Sequence, residues 1–444
     1  MGKLELKNFL KGYRPYEGII KNLDKTPMSA AGIVSPAQPQ LIASVASAAG
    51  GNTLVVTYSD MEARAAAGDL SLYTDDVVMF PSKEYVFYNI ETMGRANENA
   101  RLSVLDAITE RKGAIVVASV DALMTYTADK ARFCRSIVSL RPGDVHDPES
   151  LVSELIEMGY KREDMIEGPG QFAVRGGIID VFTPNSEMPH RIEFWDDEID
   201  SIRTFDPYSQ RTVENTDSVR IIPVTEALFT EERRAEIILE LERRVKNAQR
   251  KREDQSEYIQ NLNADIEALK EQRRFPAIDK YISLIYGRIP SLLDYFGKED
   301  TAFVIDPKRI SERMKTFLWE RGEAVSELKL KNILSDVKTE YYKDSAEIIS
   351  SLSGMRLIAL EILSHTKNDF KFRHLETFLT KTTVSFHGKL EYLFEDLTKW
   401  QKDGYTVVVL AATSGRAENL NGVFNERGIR ARISKDGSFE RGET

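Results

Sequence analysis

Three short apolar runs constrain this chain most: Leu54 to Tyr58, Val77 to Phe80 and Ala114 to Ser119 are continuous rather than alternating. An alternating strand has one wet face, whereas an unbroken apolar run suits a parallel sheet covered on both sides. Helical stretches lie between the runs. Gln38 to Ala49 is rich in small and apolar residues and stops at Gly50-Gly51, while Asp60 to Gly68 opens on an acidic cap and closes on glycine. Strand, helix and strand with short glycine-bearing links predict a doubly wound α/β arrangement for residues 1–145.

At 444 residues the chain has room for about three domains of roughly 150 residues each. The runs are too short to span a bilayer, so no membrane association is expected. The 60 basic and 70 acidic side chains leave a net charge of −10, which argues against a surface built throughout to neutralise phosphates. The one cysteine, Cys134, can form no internal disulfide. Met1 to Leu10 shows no charged-then-apolar leader, so a cytoplasmic location is expected.

A phosphate-binding loop needs Gly, four residues, Gly, Lys and then Ser or Thr, because backbone amides cradle the phosphate, the lysine reaches it and the hydroxyl holds magnesium. Here the run from Gly32 ends in Ala37, Gln38 and Pro39. Ala37 replaces the second glycine, Gln38 removes the cation, and Pro39 supplies neither hydroxyl nor amide hydrogen. The expectation is a loop that keeps its shape without its chemistry. An ordinary loop that never bound nucleotide explains the same residues about as well.

Between 146 and 225 the signal changes. Glu149 to Met158 has helical spacing. Then Gln171–Val174, Ile178–Phe182, Arg191–Trp195, Ile199–Phe205 and Val219–Ile222 read as short strands separated by Gly168-Pro169-Gly170, Pro184-Asn185-Ser186 and Asp196-Asp197. An antiparallel meander set inside an α/β domain is predicted.

The stretch Gly168 to Phe182, followed by Arg191 to Phe205 and Ser209-Gln210-Arg211-Thr212, resembles the UvrB-like module of bacterial transcription-repair coupling factors (Mfd), and the same motif pair occurs in UvrB. The degenerate loop and the short path from Phe80-Pro81 through Tyr85 and Tyr88 to Arg101 favour the coupling factor over UvrB. The resemblance implies a degenerate P-loop-NTPase-like, UvrB-like parallel sheet domain built from 1–145 and 226–323. It further implies an inserted mixed or antiparallel β domain at 146–225 and a second small α/β domain at 324–444.

By that resemblance the inserted domain docks UvrA, with Arg162, Phe172, Arg175 and Ile179 as partner-binding residues, Phe172 read more as core than as contact. If the strand runs extended, Arg175, Gly177 and Ile179 share one face and combine a guanidinium, flat backbone and an aliphatic contact. Arg175 paired across the sheet with Asp180 or Glu193 is the purely structural alternative. Ala173 stands where UvrB has another arginine.

No catalytic residue, metal ligand or cofactor is expected. Asp196, Asp197, Glu198 and Asp200 read as a solvated hairpin tip, and His146, His190, His365, His374 and His387 are scattered. Thr230 to Arg273 lacks Gly and Pro, and its apolar positions from Ile238 to Leu269 recur three and four apart around polar Arg252 and Gln255, which predicts two helical pieces. The basic stretch Arg243 to Arg252, flanked by acids, reads as a solvated helix face more than a phosphate contact. Asp306 resembles the aspartate of a magnesium motif, but Pro307 follows it. In the last segment, Tyr405 to Leu410 and Gly428 to Ile433 are expected strands, with a Ser-capped helix from Ser414 to Asn425 between them.

The function implied is the N-terminal module of a coupling factor, inert in itself, that brings UvrA to lesion-stalled RNA polymerase. The longer parent would be an ATP-dependent translocase, with ATP, magnesium, RNA polymerase and duplex DNA belonging to its other parts, and with its C-terminal domain masking the docking surface. The rival is an active UvrB-like component that binds ATP and damaged DNA.

Overall fold

The computed structural model describes residues 9–87, 96–250, 256–271, 276–331, 333–334, 340–363, 369–383, 386, 390–411 and 413–434. In chain order its strands are β1 Met28–Ala31, β2 Thr53–Thr57, β3 Val77–Phe80, β4 Ile115–Ser119, β5 Val138–Leu140, β6 Lys161–Arg162, β7 Gln171–Arg175, β8 Ile178–Phe182, β9 His190–Trp195, β10 Glu198–Phe205, β11 Thr212–Asn215, β12 Val219–Ile221, β13 Thr301–Ile305, β14 Arg356–Glu361 and β15 His374–Thr377.

Seven strands form one sheet in the order β15-β1-β14-β13-β2-β4-β3, and every neighbouring pair is parallel. Strands β1, β2 and β4 are buried at every position, as expected where both faces are covered. One face packs a cluster with Leu102, Leu105, Met314 and Phe317, the other a cluster with Ile19, Leu41, Val45 and Phe303. The helix Gln38–Ala49 forms as predicted. The helix from Asp60 is capped by Ser59, whose side chain accepts the Glu62 amide, and it runs through Gly68 to Leu70. The Asp60 carboxylate is taken instead by Ser82 and Ser119.

The last segment departs from expectation. The helix Pro307–Leu330 is continuous across residue 323, and β14 and β15 complete the large sheet rather than a domain of their own. The reason is long-range pairing: Met28 is in register with both Ile358 and His374. Tyr405 to Leu410 makes no ladder among the described residues, and Tyr405 is 62% exposed. A parallel strand draws its stability from ladders on its edges, and none is present there. Gly428 to Ile433 is likewise not a strand. The helix Ser414–Glu426 is present, capped by Thr413 rather than Ser414.

The inserted domain is a six-stranded sheet in the order β11-β10-β9-β8-β7-β6, antiparallel except for the short parallel pair β6–β7. β12 leaves this meander and pairs with β5 at the neck of the insertion. The helix Pro148–Glu157, capped by Asp147, lays Leu151 and Leu155 against Phe172, Val181, Ile192 and Ile202. The helices Glu231–Ala248 and Ser256–Lys270 pack together through Ile237, Leu241, Leu262 and Ile266. Arg252 and Gln255, the expected polar centre of that seam, lie outside the described residues, as do Tyr88, His365 and His387.

Candidate partner-docking site and the nucleotide-type loop

Side chains on a strand alternate between faces, so the register sorts the inserted sheet into two sides. Phe172, Ile179, Val181 and Ile192 point to the helix-covered core. On the other side Asp180 receives Arg191 through Nε at 2.7 Å and Nη2 at 2.9 Å, and the Gln210 amide oxygen accepts Arg191 at 3.3 Å. The Arg191 guanidinium also lies 4.4 Å from the centre of the Phe205 ring. Glu193 is taken by Arg203 and Ser201, which lower its pKa against the opposing effect of burial.

Both carboxylates that would have neutralised Arg175 are therefore occupied. Arg175 ends β7, is exposed, and donates from Nη2 to the Asp164 carbonyl at 2.7 Å. Among the described residues no carboxylate pairs with it. Gly176 and Gly177 then form a two-residue turn, with Gly176 at φ 61°, and Arg175 comes into register with Ile178. Gly177 is pressed against its neighbour: an added Cβ would stand 2.9 Å from the Phe194 carbonyl oxygen.

This turn corrects the expected layout. Because the chain reverses at Gly176-Gly177, Arg175 and Ile179 do not share a face, and the aliphatic neighbour of Arg175 is Ile178. Ile179 (1% exposed) and Phe172 (0%) are core residues with no surface to offer a partner. Arg162 is exposed on the edge strand β6, but its register with Phe172 places it on the face opposite Arg175. Ala173 is buried against Ile166, Phe182 and Phe205 and stands opposite Asp180, whose carboxylate Arg191 already holds.

The nucleotide-type loop follows β1, at the edge of the sheet where α/β proteins bind ligands. Gly32 has φ 80°, and a Cβ there would collide with the Phe378 carbonyl. The Thr380 hydroxyl accepts the Val34 amide at 2.9 Å and donates to the Gly32 carbonyl at 2.8 Å. The segment following β15 thus lies across the loop. Ser35–Ala37 forms one 3-10 turn, and Gln38 and Pro39 are buried at the start of the next helix. Asp306, with φ 54°, caps the helix that begins at Pro307 by accepting the Arg309 amide. Its carboxylate serves the chain's own backbone.

Sequence reading missed the buried charges that join the two parts of the large-sheet domain and the group that ties the inserted domain to it. Arg101 is 1% exposed and donates to Glu226 at 2.8 Å, to the Pro81 carbonyl at 2.8 Å and to the Tyr126 carbonyl at 2.7 Å. Lys83 reaches Glu226 at 3.1 Å and Asp279 at 3.5 Å. Burial opposes ionisation of Glu226, but Arg101 and Lys83 hold its pKa below the usual value, whereas burial leaves Asp279 raised despite Lys83. Further along the same helix, Asp106 accepts Arg220 and Asn185. The one available signal was a pair of charged residues embedded in the apolar helix around Leu102 and Leu105. In the basic helix stretch, Arg243 and Arg244 both pair with Glu240, Arg243 exposed and Arg244 largely buried. Among the described residues no three His, Cys, Asp or Glu side chains are grouped to hold a metal, and no helix is long and apolar enough to cross a membrane.

Residues 138–226, from β5 to Glu226, match the model of the UvrB interaction domain. The chain as a whole is 27% identical over 438 residues to the transcription-repair-coupling factor of Bacillus subtilis, a match covering 97% of this chain and 37% of that protein. This chain is similar to transcription-repair coupling factors. The coupling factor of Staphylococcus epidermidis is 26% identical over 384 residues, 85% of this chain and 32% of the relative, and that of Staphylococcus aureus RF122 is 25% identical over 385 residues. The chain spans about a third of the length of these coupling factors. The UvrB-interaction match coincides with the inserted sheet and its two neck strands.

Proposed function

We propose that the inserted domain is a docking surface for UvrA, and that the chain acts in transcription-coupled nucleotide excision repair by bringing UvrA to RNA polymerase stalled at a lesion. The observation that carries this reading is Arg175: a guanidinium at a hairpin tip, backed by a fixed ion-pair layer, with no carboxylate paired to it among the described residues. A planar donor fork left in that state suits a carboxylate on a partner. The exposed Arg162, on the opposite face of the edge strand, would meet the partner only where that partner wraps round the sheet edge. The large sheet domain is a catalytically inert scaffold in this reading, binding neither ATP nor magnesium. Contacts with polymerase and duplex DNA, and a domain that masks the docking face until the motor engages, belong to the portion of the relatives that this chain does not span. The UvrB-like clamp reading is disfavoured because Tyr85 and Phe87 are committed to a buried cluster with Tyr126 and Tyr341 rather than presented to nucleic acid.

Calorimetric titration of the chain with purified UvrA tests the proposal. Saturable binding at micromolar affinity or tighter is expected, with Arg175→Glu weakening it about tenfold or more. Unchanged affinity in that variant removes the named site.

A further inference from the structure

The Arg175 hairpin ends beside a second exposed feature. Trp195, the last residue of β9, is 81% exposed, and the Phe194 amide donates to the Gly177 carbonyl at 2.8 Å, so the bare Gly176-Gly177 backbone lies against its base. Trp195 is in register with Glu198, and Glu198 is bridged to Val145, which is 71% exposed. Register partners share a face, so Val145, Glu198 and Trp195 form one row. The alternation along β9 puts Trp195 on the same side as Glu193, and therefore of Ile178 and Arg175. On ordinary strand spacings Arg175 and Trp195 are roughly 10 Å apart across two strands and roughly 7 Å apart along them, within the central part of a protein interface.

We propose that Trp195, supported by Val145, is the apolar anchor of the docking surface whose charged member is Arg175. This rests on the reading that the inserted domain docks UvrA. An indole with most of its area in water gains from burial, and Trp and Arg are the residues most often found to dominate interfaces. The two glycines between them carry no side chain to hold a partner off. The surrounding charge selects the occupant: Asp196, Asp197, Glu198 and Asp200 are all exposed at this tip and would repel a phosphate backbone. A protein surface fits instead, with an apolar recess for the indole, basic groups facing the acidic tip, and a carboxylate for Arg175.

The test compares Trp195→Ala with Tyr208→Ala in the same UvrA titration. Tyr208 is 90% exposed but lies in the loop beyond the opposite end of β10, so it controls for loss of an exposed aromatic. The expected result is a loss of affinity of about thirtyfold for Trp195→Ala and of less than about twofold for Tyr208→Ala, with unchanged melting temperatures. Wild-type affinity in Trp195→Ala while Arg175→Glu is weakened overturns the anchor and leaves the docking site standing. An equal loss in both aromatic variants also overturns it. If the unmutated chain shows no saturable binding, the docking reading itself falls.

Discussion

Asp106 and Arg220 are 114 residues apart in sequence, and their side chains meet at 2.7 Å. The same carboxylate accepts Asn185 Nδ2 at 2.8 Å, and Ser103 of the same helix donates to the Pro184 carbonyl at 2.8 Å. The inserted domain is thereby held on the helix Ala96–Glu110 by polar contacts from its neck strand β12 and from the Pro184-Asn185 turn. Asp106→Ala leaves Arg220 and Asn185 without their acceptor and is expected to cost about 2–4 kcal/mol in urea unfolding. Asp106→Asn, which keeps the shape, should cost less. A loss below about 0.5 kcal/mol in the alanine variant would show that this tie contributes little.

Phe172 and Arg175 lie three residues apart and should respond oppositely. Phe172→Ala empties a fully buried site and is expected to lower stability by about 3–5 kcal/mol. Arg175→Ala, on an exposed side chain with one bond to a backbone carbonyl, should stay within about 0.5 kcal/mol of wild type. Equal effects in denaturant melts would contradict the placement of these two side chains.

His190 confers acid sensitivity. His190 is 8% exposed, its Nδ1 has no hydrogen-bond partner among the described residues, and burial pulls its pKa below 6.5. A folded-state pKa below the unfolded one means that the contribution is intact above pH 6.5 and is lost as pH falls through the folded value. The urea midpoint of wild type should therefore drop below pH 6.5 more steeply than that of His190→Leu. Parallel curves for the two proteins would exclude His190 as the source.

The nucleotide-type loop should not be rescued by restoring its lost residues alone. Gln38→Lys combined with Pro39→Thr returns the cation and hydroxyl, but the Thr380 hydroxyl and the Phe378 carbonyl still occupy the loop. Titration of this double variant with ATP and magnesium is expected to show no saturable heat. Saturable, magnesium-dependent binding with Thr380 in place would sink the idea that the strap closes the site.

What could be read in advance follows from the range of the interactions involved. The unbroken runs at Leu54 and Ile115 and the turn tokens of the inserted domain are local signals, and the corresponding strands form. Gly176-Gly177 is an equally local signal that an extended-strand reading passes over, and that one turn places Ile179 in the core. The roles of β14, β15, Asp106, Arg101 and Glu226 depend on partners a hundred or more residues away, as with Arg101 and Glu226, and nothing in their immediate neighbours names those partners. Tyr405 to Leu410 shows the converse: a local strand pattern without a ladder to join.

The strand order has a consequence for how this molecule can be made. β1 is bonded only to β14 and β15, and β2 lies on the far side of β13. On a ribosome β1 emerges long before either of its neighbours, waiting while the entire inserted domain and its helices are synthesised. A truncation anywhere before Arg356 would strand it permanently, leaving Met28 to Ala31 as an orphaned apolar segment.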